Sequence, residues 1–181
     1  MSWPLETLVS TFHNICKHQG GIKIDVVGDR IAISMRDGVQ CQTDFDVQKA
    51  AIAAGLAHER VLSNVLIEFP GEAPRVPDVS ILRDGRPEEP YSYKDLLAAV
   101  EIVSTKHDGY DFTLKREQYA RSAVPAFLVI DPFRGECDLF TRPVDGRYAG
   151  HDLYTYGDVI HLKLADGGEV DIPTDTFDRR R

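Results

Sequence analysis

Apolar residues recur at steps of three and four over residues 3–19, where Leu5, Leu8, Val9, Phe12, Ile15 and Cys16 fall on one stripe. That spacing predicts an amphipathic helix, with Pro4 suited to its first turn and Gly20-Gly21 to its stop. Ile22 to Val27 and Arg30 to Met35 flank Gly28-Asp29 and predict a hairpin. An alanine-rich stretch over 44–57 predicts a helix, and residues 60–69 predict a strand. Pro70 to Pro77 reads as a turn region, Val76 to Leu82 as a strand, and Pro87-Glu88-Glu89-Pro90 as a loop. The run 96–103 is almost wholly apolar and predicts a strand buried on both faces. Asp111 to Ala123 predicts a helix, with Pro125 just beyond its end. Ala126 to Asp131 is a second buried strand, Cys137 to Arg142 continues a hairpin, and strands near 147–156 and 158–164 close the sheet. The end of the chain reads as irregular or a short helix. Strands and helices intermix, so the expected class is α/β (α+β), one sheet flanked by helices, in a single domain over 1–181.

Glu101 breaks this pattern. It lies inside Leu96-Leu97-Ala98-Ala99-Val100-Glu101-Ile102-Val103-Ser104, where a charge is costly unless something binds it. Alternation groups Leu97, Ala99, Glu101 and Val103 on one face of that strand, and Val76, Asp78, Ser80 and Leu82 on one face of the other. If the two strands are neighbours, Asp78 and Glu101 converge. Two close carboxylates repel unless a cation intervenes, and hard oxygen ligands favour Mg²⁺, with Mn²⁺ as a substitute. On the following helix Asp111, Lys115 and Tyr119 lie four residues apart on one face, so Lys115 can return to the carboxylates and steady a water or a phosphate. Each residue also has a purely structural reading. Asp78 can end a turn, Glu101 can pair with a buried arginine or lysine, Lys115 can pair with Asp111, and Tyr119 can serve as a core or capping tyrosine.

Composition narrows the classes. The hydrophobic fraction of 43% and charged fraction of 28% are those of a folded globular protein. A net charge of −8 argues against a DNA binder working through a broad basic face, and Arg179-Arg180-Arg181 is the one basic run. Cys16, Cys41 and Cys137 are odd in number and far apart, without metal spacing, which fits a reducing, cytoplasmic location. No apolar stretch is long enough for a bilayer, and no signal peptide is visible.

Four strings in order then resemble a known family: Pro77-Asp78-Val79-Ser80, Val100-Glu101-Ile102-Val103-Ser104, Asp111-x-x-x-Lys115-x-x-x-Tyr119, and Val124 through Pro132. They resemble the Uma-type family of bacterial restriction-endonuclease-like proteins, in the PD-(D/E)XK nuclease superfamily. The resemblance is strong over 76–132 and weaker upstream, at Ile24 to Asp29. It implies a restriction-endonuclease-like core and Mg²⁺-dependent cleavage of DNA. It implies Asp78 and Glu101 as metal ligands, the Ile102 carbonyl as a further ligand, and Lys115 as the displaced catalytic lysine. Asp25 would match an upstream acid, Tyr119 would pack and orient, and a homodimer would cut both strands. Two departures stand out: Val103 occupies the usual lysine position, and Phe112 replaces a basic residue near the helix start. A catalytically weak module that binds nucleic acid or protein, and a small-molecule phosphoesterase, are the rival readings.

Overall fold

The computed structural model describes residues 5–16, 21–27, 30–85, 89–106 and 109–180, and the side chains of 5, 6, 15, 16, 25–27, 30 and 109–111 lie outside the description. The order begins α1 (Leu5–Cys16), β1 (Ile22–Val27), β2 (Arg30–Met35), α2 (Gly38–Ala53), β3 (Val61–Ser63), β4 (Ile67–Glu68), β5 (Val79–Leu82) and β6 (Tyr91–Ser92). It continues β7 (Leu96–Ile102), α3 (Gly109–Arg121), β8 (Ala126–Asp131), β9 (Glu136–Val144), β10 (Arg147–Thr155), β11 (Val159–Lys163) and β12 (Glu169–Pro173). Six strands form a mixed sheet in the order β10-β9-β8-β7-β5-β3, and β1–β2, β4–β6 and β11–β12 form separate two-stranded sheets. The class is α+β.

The centre of the sheet explains its sequence. β7 and β8 run parallel, joined by α3, while β5 and β9 flank them antiparallel. Every residue of β7 is buried, as are Ala126 to Ile130 of β8. Strands covered on both faces read as continuous apolar runs rather than alternations. On one face Val79, Val100 and Leu128 pack with Val47 and Ala51 of α2 and with Ile160, Leu162, Val170 and Ile172 of the β11–β12 hairpin. On the other, Ala99, Phe127 and Phe140 pack with Tyr119 of α3. Each fully buried Val, Leu, Ile or Phe among them contributes about 1.5–3 kcal/mol.

Several sequence expectations are corrected. The face assigned to Leu97 is wrong. Register shifts between Ile81 and Leu82, which pair with Ala98 and Leu96, so Leu97 is an extra residue in a β-bulge. Leu97 thereby joins the α2 side of the core while Ala99 keeps to the α3 side. α2 starts at Gly38 rather than 44, because Asp37 accepts the Gln40 N–H at 3.0 Å while the Gln40 side chain accepts the Asp37 N–H at 3.3 Å. The strand expected over 60–69 is broken by Asn64, whose φ of +53° turns the chain between β3 and β4. β5 begins at Val79, not Val76. β11 does not close the main sheet but pairs with β12, a strand the alternation of Val170 and Ile172 carries and the expected irregular end missed. The ends expected for the first helix and the Gly28-Asp29 turn fall outside the described residues. No helix among the described residues is long and apolar enough to cross a membrane.

Candidate active site

β5 and β7 are antiparallel neighbours with Val79 opposite Val100, so the next step outward sets Asp78 opposite Glu101. Both acids are 0% exposed. Asp78 sits just ahead of β5, and its Oδ2 accepts the Ile102 N–H at 2.8 Å, tying the head of one strand to the end of the other. Ile102 itself packs on the opposite face with Val100 and Ile130.

A lysine from outside the sheet joins the acids. Lys23 of β1, 5% exposed, donates from Nζ to Asp78 Oδ2 at 2.8 Å and to Glu101 Oε2 at 2.9 Å. Lys115, reaching back from α3, donates to the same Glu101 Oε2 at 3.0 Å. Tyr119, one turn further along α3, holds its hydroxyl 3.5 Å from Glu101 Oε1 and packs its ring against Phe69 and Phe127. The two carboxylates and two ammonium groups balance, which is what makes so buried a set of charges tolerable.

A second polar group backs Asp78. Arg36, which follows β2, lies 3.6 Å from Asp78 Oδ1 and 2.6 Å from Asp44 Oδ2 of α2. Gln48 and Ser63 donate to Asp44 Oδ1 at 2.7 and 2.6 Å. Burial pulls the Arg36 guanidinium down, but the Asp78 and Asp44 carboxylates outweigh it and hold it above its ordinary value.

Residues 9–180 match the family model of Uma2, described as "putative restriction endonuclease". The chain belongs to the Uma2 family. Membership classes it with the nucleases, hydrolases of nucleic acid. Its fold is similar to the crystal structure of "a putative nuclease belonging to DUF820" from Anabaena variabilis, at a TM-score of 0.61 and 15% identity over 82% of this chain and 87% of that one. No curated protein matches the sequence.

Within this Uma2 chain the structure brings Asp78, Glu101, Lys115 and Tyr119 together. Asp25 pairs with Ala32 in the β1–β2 ribbon, and its side chain, like that of Asp111, lies outside the described residues. Val103, in the superfamily's usual lysine position, is an apolar packing residue, and Phe112 sets its ring 5.4 Å from Lys115 Nζ. Sequence reasoning missed Lys23. Its one local signal is a lysine between Ile22 and Ile24, and in a hairpin such alternation ordinarily marks a solvent face.

The oxygen set suits a hard divalent cation. Asp78 Oδ1 is buried and accepts no hydrogen bond, and Asp78 and Glu101 already share one cation between them, the Lys23 ammonium. Among the described residues no group of three or more His, Cys, Asp or Glu gathers, so a bound ion would complete its shell with water or carbonyl oxygen. An ion bound between these acids would take the place of the Lys23 ammonium and meet the same carboxylate oxygens.

Proposed function

We propose that this chain is a Mg²⁺-dependent endonuclease that hydrolyses DNA phosphodiester bonds. The observation that carries the reading is the meeting of Asp78 and Glu101 on a single cation at 2.8 and 2.9 Å, with Lys115 on the shared carboxylate. Asp78 and Glu101 would hold the ion, with the Ile102 carbonyl as a further ligand. A bound Mg²⁺ supplies charge neutralisation at the phosphate and activation of a water nucleophile. Glu101 fixes the Lys115 ammonium, and Lys115 in turn orients the attacking water or a phosphate oxygen. Tyr119 limits the swing of Glu101 through its buried ring. Arg36 holds the outer oxygen of Asp78 in place through its pair with Asp44. Lys23 holds the two acids together and would give up its place to an ion bound there.

Nicking of supercoiled plasmid with Mg²⁺ or Mn²⁺ tests the proposal. Glu101→Gln should cut the rate by at least about 100-fold. Wild-type nicking by that variant would remove the mechanism. The bridging Lys23 favours one rival, a nuclease fold whose acids are neutralised for good and which only binds nucleic acid. Calorimetric titration with Mn²⁺ separates the two, since a permanently closed site takes up no ion that depends on Asp78.

A further inference from the structure

A cavity of about 630 Å³ opens on the α3 side of the sheet, beside the buried acids. Val129, in its floor, is the cross-strand neighbour of Glu101, and Val103 lies two residues beyond Glu101 on the same side of β7. Phe112 lines the cavity, and the Lys115 ammonium that binds Glu101 lies 5.4 Å from its ring.

The walls combine aromatic rings with cations. Phe127, Phe140 and His151 form a stack with centroids 6.1 and 4.5 Å apart and planes tilted by 21° and 11°. The stack starts in the core, where Phe127 is 0% exposed, and ends at His151, whose side chain is 52% exposed. Asp138 holds that imidazole by a 2.7 Å hydrogen bond. Across the cavity Lys106 lies 5.7 Å over the ring of Phe133, and Arg116 lies 5.1 Å over Phe140. The acids at the rim are engaged: Asp138 with His151, and Asp131 Oδ1 with the N–H groups of Phe133 and Arg134. Lys106 and Arg116 pair with no carboxylate among the described residues, unusual in a chain of net charge −8.

We infer that this groove holds an unstacked nucleotide of the bound strand, next to the phosphate to be cut. Its base continues the Phe127–Phe140–His151 stack or lies on Phe133, and its phosphate meets Lys106 and Arg116. A base face can take the place of the exposed Lys106 over Phe133, freeing the ammonium for the phosphate. The volume suits a ligand of that size. The position of the groove relative to the cut rests on the nuclease reading; the binding itself does not.

Fluorescence anisotropy of a short fluorescein-labelled oligothymidylate, with EDTA present, tests the groove apart from catalysis. His151→Ala and Phe133→Ala should each weaken binding about tenfold, and His151→Trp should restore affinity with quenched tryptophan emission on titration. Arg116→Gln should lower the slope of log affinity against log salt by about one. His151 is on the surface, so its variants keep the fold even if Phe133→Ala does not. Unchanged affinity in both alanine variants, or equal ring-independent binding of a blunt duplex, would overturn the inference. Plasmid nicking run in parallel separates the two proposals. Ring-dependent binding without nicking keeps the groove and removes the nuclease; nicking with ring-independent binding does the reverse.

Discussion

Replacing Lys23 by methionine removes one ammonium while keeping most of the side chain's bulk. In the wild type that group makes hydrogen bonds of 2.8 and 2.9 Å to two carboxylates that are 0% exposed. Stripping one partner from a buried charge group costs about 3–5 kcal/mol. In a chain of this length each kcal/mol is about 2–4 °C of melting temperature, so Lys23→Met should melt about 6–20 °C below wild type. Mn²⁺ should narrow the gap between the two proteins. In the wild type the ion must displace Lys23, whereas in the variant it meets the same oxygens unopposed. Sparing a displacement of about 3 kcal/mol makes binding about 100-fold tighter. Calorimetry gives the two dissociation constants, and thermal melts with and without Mn²⁺ give the stability. Saturating Mn²⁺, at about 100 times the dissociation constant, should return about 2.7 kcal/mol to the variant. Lys23→Arg keeps the charge, so Mn²⁺ should bind it no more tightly than wild type. If Lys23→Met binds Mn²⁺ no more tightly than wild type, or its lost stability is not recovered by the ion, the argument that ammonium and ion compete for one place is wrong.

Two further outcomes concern the scaffold. Asp37→Ala removes the carboxylate that caps α2 and should lower stability by about 1 kcal/mol in a urea titration, with Asp37→Asn close to wild type. Burial pushes the Cys137 thiol up to about 12, so it stays protonated across pH 7–10; iodoacetamide followed by peptide mapping should label exposed Cys41 throughout that range and leave Cys137 unlabelled until denaturant is added.

The acids of the candidate site were legible because each contradicts its surroundings. Glu101 is an anion in a strand with no solvent face, and once β5 and β7 are neighbours the two-residue period aligns it with Asp78. Lys115 was legible through the four-residue period of α3, which returns its side chain toward the strand that α3 follows. Lys23 was not. It belongs to a ribbon whose sequence agrees with an ordinary half-exposed hairpin, and docking of that ribbon on the acids is a long-range event without local periodicity. The misassigned face of Leu97 has a similar origin, since a bulge is defined by two strands together and neither one announces it. The early start of α2 was readable in Asp37-Gly38-Val39-Gln40, where an acid three residues before glutamine is a cap signal, but the alanines further on drew the boundary to 44.

Lys23 is separated along the chain from Asp78 by 55 positions and from Glu101 by 78. On the ribosome the ammonium is therefore made first and its anions last. At about 5–20 residues per second the wait for Glu101 lasts roughly 4–16 s. For the first 55 positions of that interval neither of its buried partners has been made, so this corner of the molecule can lock only after the centre of the sheet has been synthesised.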